Sequence, residues 1–183
     1  MTTLTLYELA EPHACLRETR DAAEIATLLA PLGIRFERWA ASVALPEDAS
    51  DDDVIRAYRR DIDRLMAEGG YRSCDVIRLL PDNPARATLR TKFLDEHTHA
   101  EDEVRFFVEG SGVFYIRGAD AVYALECTRD DLIAVPEGTR HWFDMGPAPR
   151  FTAIRLFAEP DGWVASFTGD AIARGVPLYE GSA

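Results

Sequence analysis

Of the four histidines in this 183-residue chain, three stand in a pattern that could hold a metal ion. His97 and His99 are separated by one residue, Glu103 follows closely, and His141 arrives far downstream behind the turn-forming run Pro136-Glu137-Gly138. Imidazole nitrogens with one carboxylate oxygen suit a borderline divalent ion such as Fe, Ni, Co, Mn or Zn, whereas Mg and Ca favour all-oxygen shells. In an octahedral ion four protein donors leave two positions for a bidentate substrate or two waters, so the chemistry open to such a site is Lewis-acid or redox activation. A lone histidine is most often a surface or hydrogen-bonded side chain, and His13 is assigned no more than that. The spacing of the other three sets them apart.

Positioning these groups requires strands. Side chains alternate along a strand, so His97 and His99 project to one side, within reach of one ion. The stretch Ala100-Glu101-Asp102 turns, so parity alone does not place Glu103. Arg105, two residues beyond Glu103, faces the same interior if both lie on one strand. A buried cation is costly unless paired, and an anionic substrate beside the metal is a natural partner for it. The run Phe151 to Phe157 alternates in the same way and puts Arg155 on the Phe151/Ala153/Phe157 face, as a second anion contact or a structural salt bridge.

From about Val76 onward, short β-rich runs are separated by turn residues. Gly110-Ser111-Gly112 between residues 104–108 and 113–117 predicts a hairpin, Gly118-Ala119-Asp120 precedes a strand over 121–125, and further strands fall at Asp131 to Val135, His141 to Phe143 and Phe151 to Phe157. Many short strands without intervening helices favour an antiparallel sandwich or barrel. The first half reads mainly helical. Ala22, Ile25, Leu28, Leu29 and Leu32 form one stripe, and Arg35 to Trp39 is a short strand. A second helix is capped by Ser50 with Asp53 and ended by Gly69-Gly70, burying Val54, Tyr58, Ile62, Leu65 and Met66. The run Asp51-Asp52-Asp53 sits where the helix dipole favours acids and is given no metal role.

The length is that of one domain, with 47% hydrophobic and 28% charged residues, a globular composition. Its expected parts are a helix-rich stretch over about 1–75, a β core over about 76–160 and a C-terminal extension over about 161–183. Thirty-two acidic against 20 basic residues give a net charge of −12, which disfavours nucleic acid and anionic membranes and leaves any anionic substrate to be met by local arginines. Cys15, Cys74 and Cys127 are odd in number and lack a CxxC spacing, so they read as reduced core residues. No signal peptide or long apolar run is seen, which makes a soluble cytoplasmic protein the expectation, and an acidic single domain is compatible with a monomer.

The segment His97-Thr98-His99-Ala100-Glu101-Asp102-Glu103, with Gly110 beyond it, resembles the first motif of the cupin superfamily, and Pro136 to His141 resembles the second. Thr91 and Asp130 stand where glycine is usual and Met145 where asparagine is common, departures that fall on turns rather than on ligands. Within cupins, residues 93 to 107, Gly33 to Trp39, Gly112 to Tyr115, Asp131 to Pro136 and His141-Trp142-Phe143 resemble the acireductone dioxygenases of methionine salvage. The resemblance implies a mainly β fold with accessory helices, in which a cupin-type antiparallel β-barrel (double-stranded β-helix or jelly roll) follows a helical N-terminal half. One Fe(II) or Ni(II) per chain would be held by His97, His99, Glu103 and His141. The implied substrate is the enediol 1,2-dihydroxy-5-(methylthio)pent-1-en-3-one, bound as a dianion and cleaved by O2. Fe(II) members give formate and 4-methylthio-2-oxobutanoate; Ni(II) members give formate, CO and 3-(methylthio)propanoate.

By the same resemblance Arg105 holds the substrate dianion, Glu96 assists metal incorporation and Asp102 relays conformational change. Read from chemistry alone, Glu96 and Asp102 could equally be hydrogen-bond acceptors that orient histidine rings. An apolar methylthio tail needs apolar walls, for which Phe93, Phe143 and Trp163 are candidates, although aromatics near strands are more often plain core. Alternatives are another cupin metalloenzyme, either a different dioxygenase or an isomerase, and a non-catalytic small-ligand-binding cupin.

Overall fold

The computed structural model describes residues 1–46, 48–159 and 164–181. In chain order the elements are β1 (Thr3–Glu8), β2 (Cys15–Thr19), α1 (Ala22–Leu29), β3 (Arg35–Arg38), α2 (Asp51–Ala57), α3 (Arg59–Gly69), β4 (Ser73–Leu79) and α4 (Arg86–Phe93). There follow β5 (His97–Thr98), β6 (Glu103–Arg117), β7 (Ala121–Thr128), β8 (Asp131–Val135), β9 (His141–Asp144), β10 (Phe151–Phe157) and β11 (Ser166–Phe167). The strands pair antiparallel, in the orders β11-β5-β9-β6-β7-β1-β2 and β3-β8-β6-β10-β4. The fold is therefore mainly β, with four α-helices among the described residues. No helix among the described residues is long and apolar enough to cross a membrane.

β6 is common to both strand orders, and its course overturns the expected hairpin. Residues 103–110 pair with β8 and β10, whereas residues 111–117 pair with β7 and β9. The chain does not reverse at Gly110-Ser111-Gly112; it runs on and changes partners. Thr152 faces Glu109 while Ala153 faces Phe107, so Val108 is the extra residue of a β-bulge. Gly110 follows it with φ +68°, and a Cβ there would lie 1.7 Å from Arg150 O.

The bulge changes which residues face inward. Phe107 packs in the central cluster with Phe114, Ile116, Phe143 and Phe151, so odd positions point in before the bulge and even positions after it. Val104, Phe106 and Val108 instead meet Val54, Tyr58, Ile62 and Leu65 of the helices, while Val113 and Tyr115 are covered by Ala173 and Val176. Both faces of β6 are thus buried, which is why Phe106, Phe107 and Val108 follow one another without a polar residue rather than in strict alternation.

The first 75 residues carry α1, α2 and α3 but also strands that the helical reading left out. β1 and β2 extend one sheet, and Thr3-Leu4-Thr5-Leu6-Tyr7 carries the period-two alternation that a strand requires. The Ser50 capping box forms, with Asp53 N donating to Ser50 Oγ at 3.2 Å and Ser50 N to Asp53 Oδ2 at 3.1 Å. The helix then breaks at Tyr58 (φ −109°, ψ 19°), whose ring is buried edge-on against Phe106, before α3 ends at Gly70 in the left-handed region. α4 interrupts the β-rich half, where only Leu89 and Phe93 offered an apolar face. Of the cysteines only Cys127 is in the core; Cys74 is half-buried and Cys15 exposed.

Gly110→Ala should destabilise the protein by on the order of 2–4 kcal/mol, since it combines left-handed strain with a backbone clash. Urea unfolding would show a lower midpoint at an unchanged m-value; a midpoint equal to that of the parent would exclude this account of the β6 bend.

Candidate metal centre

Four side chains from three strands and one connecting loop converge beneath the mouth of a cavity of about 470 Å³. His97 comes from β5 and His141 lies opposite it on β9, His99 follows β5, and Glu103 opens β6. One ligating atom from each lies within 4.8 Å of the others, and all four residues are buried. The His97 ring centroid is 4.9 Å from that of His99 and 4.6 Å from that of His141.

The hydrogen bonds fix what these rings present. Nδ1 of His97 meets Asp95 O at 2.7 Å, Nδ1 of His99 meets Val164 O at 3.1 Å, and Nδ1 of His141 meets Thr139 O at 2.8 Å. A carbonyl oxygen can only accept, so each Nδ1 carries the proton and donates it. In the neutral ring Nε2 is then a lone-pair atom, and the arrangement is the familiar one in which the far nitrogen orients the ring for a metal. Nε2 of His99 and of His141 face the same Glu103 Oε2 at 2.9 and 3.0 Å. Several lone pairs aimed at one point repel unless a cation or an extra proton lies between them. The donor set therefore fits a borderline divalent ion.

The charges agree with this geometry. Burial holds the His97 imidazole down to about 4, with His141 adding to the effect and the bond to Asp95 opposing it. Burial also works against a charged His99, but the adjoining Glu103 outweighs it and raises that ring. Burial by itself would raise the Glu103 carboxyl; Arg105 foremost, then His141 and His99 when their Nε2 atoms carry a proton, hold it well below the usual carboxylate range. The centre thus pairs an ionised carboxylate with a neutral His97.

Arg105 lies where strand parity placed it. Its Nη2 donates to Glu103 Oε1 at 2.8 Å, and its guanidinium lies 4.5 Å from the Phe143 ring centroid and 5.0 Å from that of Phe114. Phe143 reaches this position because residue 112 is glycine; a Cβ there would come within 2.3 Å of the Phe143 ring. Phe93, Phe143 and Arg155 line the cavity, and Arg155 is held by Asp75 in a bidentate ion pair, the salt-bridge alternative raised for it above. Trp163 lies outside the described residues.

Glu96 and Asp102 do not line the cavity. Glu96 is buried, taking bonds from Thr168 Oγ1 at 2.7 Å and Arg117 Nη1 at 3.3 Å, and so ties the segment after β11 to the strand that bears His97. Asp102 accepts from Glu137 N at 3.1 Å and Tyr71 Oη at 3.4 Å, bracing the turn that leads to His141. Asp130 adopts φ +81°, so the glycine conformation is kept without the glycine. Its Oδ1 accepts from Ala41 N and its carbonyl from Trp39 N, partners that hold it there.

Sequence reasoning missed Asp75, Lys92, Phe157 and Phe167 as lining residues. Phe157 had a signal, since it shares the face of Arg155 in the alternating run of β10. The others depend on α4, on β4 pairing with β10 and on β11 pairing with β5, none of which has a local mark.

An antiparallel β fold that encloses three histidines and a carboxylate around one point defines a mononuclear metal-binding protein with an open, substrate-sized cavity. The chain belongs to the ARD/ARD' family, whose model matches residues 4–165. An acireductone dioxygenase of Parvibaculum lavamentivorans is 57% identical over 180 residues, 98% of each chain. Another, from Stenotrophomonas maltophilia strain K279a, is 56% identical over 179 residues, covering 98% of this chain and 97% of that one. Among solved structures, the acireductone dioxygenase from Bacillus anthracis, with a cadmium ion in its active centre, superposes with a TM-score of 0.81 at 29% identity. That match covers 91% of this chain and 98% of the other.

Both Glu103→Ala and His99→Ala should lose bound metal. Glu103→Ala also leaves Arg105 buried without its carboxylate, and its metal-free form should be less stable than metal-free His99→Ala by roughly 3 kcal/mol. Metal analysis with paired denaturant curves tests this; equal stability of the two would mean that Glu103 does not neutralise Arg105.

Proposed function

We propose that this chain is a metal-dependent acireductone dioxygenase that cleaves 1,2-dihydroxy-5-(methylthio)pent-1-en-3-one with O2 in methionine salvage. The observation that carries the proposal is the convergence of His97, His99, Glu103 and His141 inside a substrate-sized cavity, in a chain that matches acireductone dioxygenases over nearly its whole length. These four residues would hold one Fe(II) or Ni(II). The ion would supply a Lewis-acidic seat for the two enediolate oxygens and the redox chemistry that couples them to O2.

The remaining steps belong to the chain's own side chains. Arg105, beside Glu103 at the bottom of the cavity, faces the place where the dianion's charge would lie, and low exposure strengthens that attraction. Phe143 beneath it and Phe93 at the wall exclude water and give the methylthio end apolar surface. Arg155 faces the outer half of the cavity. Glu96 would assist metal loading by keeping the His97 strand and the segment after β11 together, and Asp102 would pass movements of the Pro136–Gly138 turn to His141. No protein nucleophile is required.

We further read the chain as one cupin domain, a double-stranded β-helix barrel over about 76–160 with an N-terminal part over about 1–75 and an extension over about 161–183. It would act as a cytoplasmic monomer on its small substrate and O2, without nucleic acid or membrane. Products should follow the metal. Fe(II) protein should yield formate and 4-methylthio-2-oxobutanoate; Ni(II) protein should yield formate, CO and 3-(methylthio)propanoate. Oxygen uptake with product analysis on chelated and reloaded protein checks this. Uptake should vanish with the metal and in His99→Ala, whereas full turnover by metal-free protein would exclude the mechanism.

A further inference from the structure

Across β4, β10 and β6, four charged side chains stand in a row. Asp75 is in register with Arg155, Arg155 is in register with Arg105, and Glu103 lies two residues along β6 from Arg105. Side-chain exposure falls along the row, from 47% for Asp75 and 26% for Arg155 to 6% for Arg105 and 3% for Glu103. All four line the cavity, so the row descends from solvent at the mouth to the metal centre at the bottom.

Like charges opposed on neighbouring strands disfavour one another, and each arginine here is offset by a carboxylate. At the bottom, Glu103 also faces the histidines, so its charge is shared between Arg105 and the metal position, and Arg105 can still answer an anion there. At the mouth the pairing is tighter: Arg155 Nε donates to Asp75 Oδ1 at 2.7 Å and Nη2 to Oδ2 at 2.5 Å. The Phe157 ring lies 5.3 Å from the Arg155 guanidinium, Phe93 and Phe167 add apolar surface elsewhere in the cavity lining, and exposed Lys92 adds a further cation to that lining. Asp75 and Glu103 are the only carboxylates among the described lining residues.

We propose that Asp75 is a specificity-determining residue: by neutralising Arg155 it makes the outer half of the cavity accept an uncharged apolar tail and reject a substrate whose tail ends in an anion. Arginine recognises carboxylate and phosphate through two parallel hydrogen bonds, and the Nε and Nη2 of Arg155, if relieved of Asp75, could offer that fork to such a group. Asp75 already occupies that fork. An anionic tail would have to displace it and then lie beside its charge. The inference rests on the reading that the enediolate end of the substrate sits at the metal.

The test compares kcat/KM of the metal-loaded enzyme for two enediols, one with the methylthio tail and one of equal length ending in a carboxylate. Asp75→Asn should raise the relative kcat/KM of the carboxylate substrate about tenfold, less in high salt, as expected for one unit charge at a partly exposed site. Arg155→Gln leaves Asp75 uncompensated and should move the ratio the opposite way, while Asp75→Glu should stay near the parent value. Opposite shifts from the two sides of one ion pair cannot come from loosened structure, which would impair both substrates together. An unchanged ratio in metal-replete Asp75→Asn and Arg155→Gln, or a shift of the same sign in both, overturns the proposal while the methylthio substrate still turns over. Failure of the parent enzyme to turn over the methylthio substrate would overturn the reading of the site, and this inference with it.

Discussion

A carboxylate buried as deeply as that of Glu103 is tolerated only when its charge is answered on every side, and the two oxygens of Glu103 are answered differently. Oε1 takes the guanidinium of Arg105, whereas Oε2 faces Nε2 of His99 and His141. This division joins the cation that would meet substrate to the atoms that would meet metal. Moving Glu103 would strand Arg105 in an aromatic pocket and remove the one anionic donor from the point on which the imidazole nitrogens converge. The other elements are arranged around this requirement.

β6 meets it by being long, covered on both faces and bulged. Before the bulge its inward side carries Glu103, Arg105 and Phe107; after it, the inward side carries Phe114 and Ile116, which help to floor the site from the other strand order. A regular strand would have kept one parity throughout and turned one of these sets outward. The histidine tautomers add a second constraint, because the carbonyls that hold them come from Asp95, Thr139 and Val164, three separate stretches of chain. The segment around β11 is thus part of the centre, through Val164 and through the pairing of Phe167 with His97.

The same strand geometry makes the cavity graded. Charge at its bottom is shared with a metal position, and charge at its mouth is closed off in the Asp75–Arg155 pair. Aromatic rings on the walls between them offer room for an apolar tail. A ligand with one anionic end and one apolar end fits such a gradient in one orientation. That is the shape of substrate the family resemblance implied from motifs alone.

Much of the site was legible in the sequence because it rests on local regularities. Residue type and spacing named the four side chains that converge, period two placed Arg105 beside Glu103 and Arg155 on the Phe157 face, and Ser50 with Asp53 marked a helix start. β8, β9 and β10 fall where alternation put them. The glycines at 110 and 112 were legible as special but not as to purpose: a hairpin and a bulged continuation have the same local chemistry, and only the partners β7, β9 and β10 decide between them. The strand alternation of residues 3–7 was present and overlooked, while α4 and β4 lack any strong period. By itself, then, the sequence determined which donors were present and which neighbours share a face, since side-chain chemistry and strand parity act over a few residues. Tertiary structure alone decided which charges meet, turning Arg155 toward Asp75 and Arg105 toward Glu103 and aiming the three imidazoles, because those contacts depend on strands and carbonyls far apart in the chain.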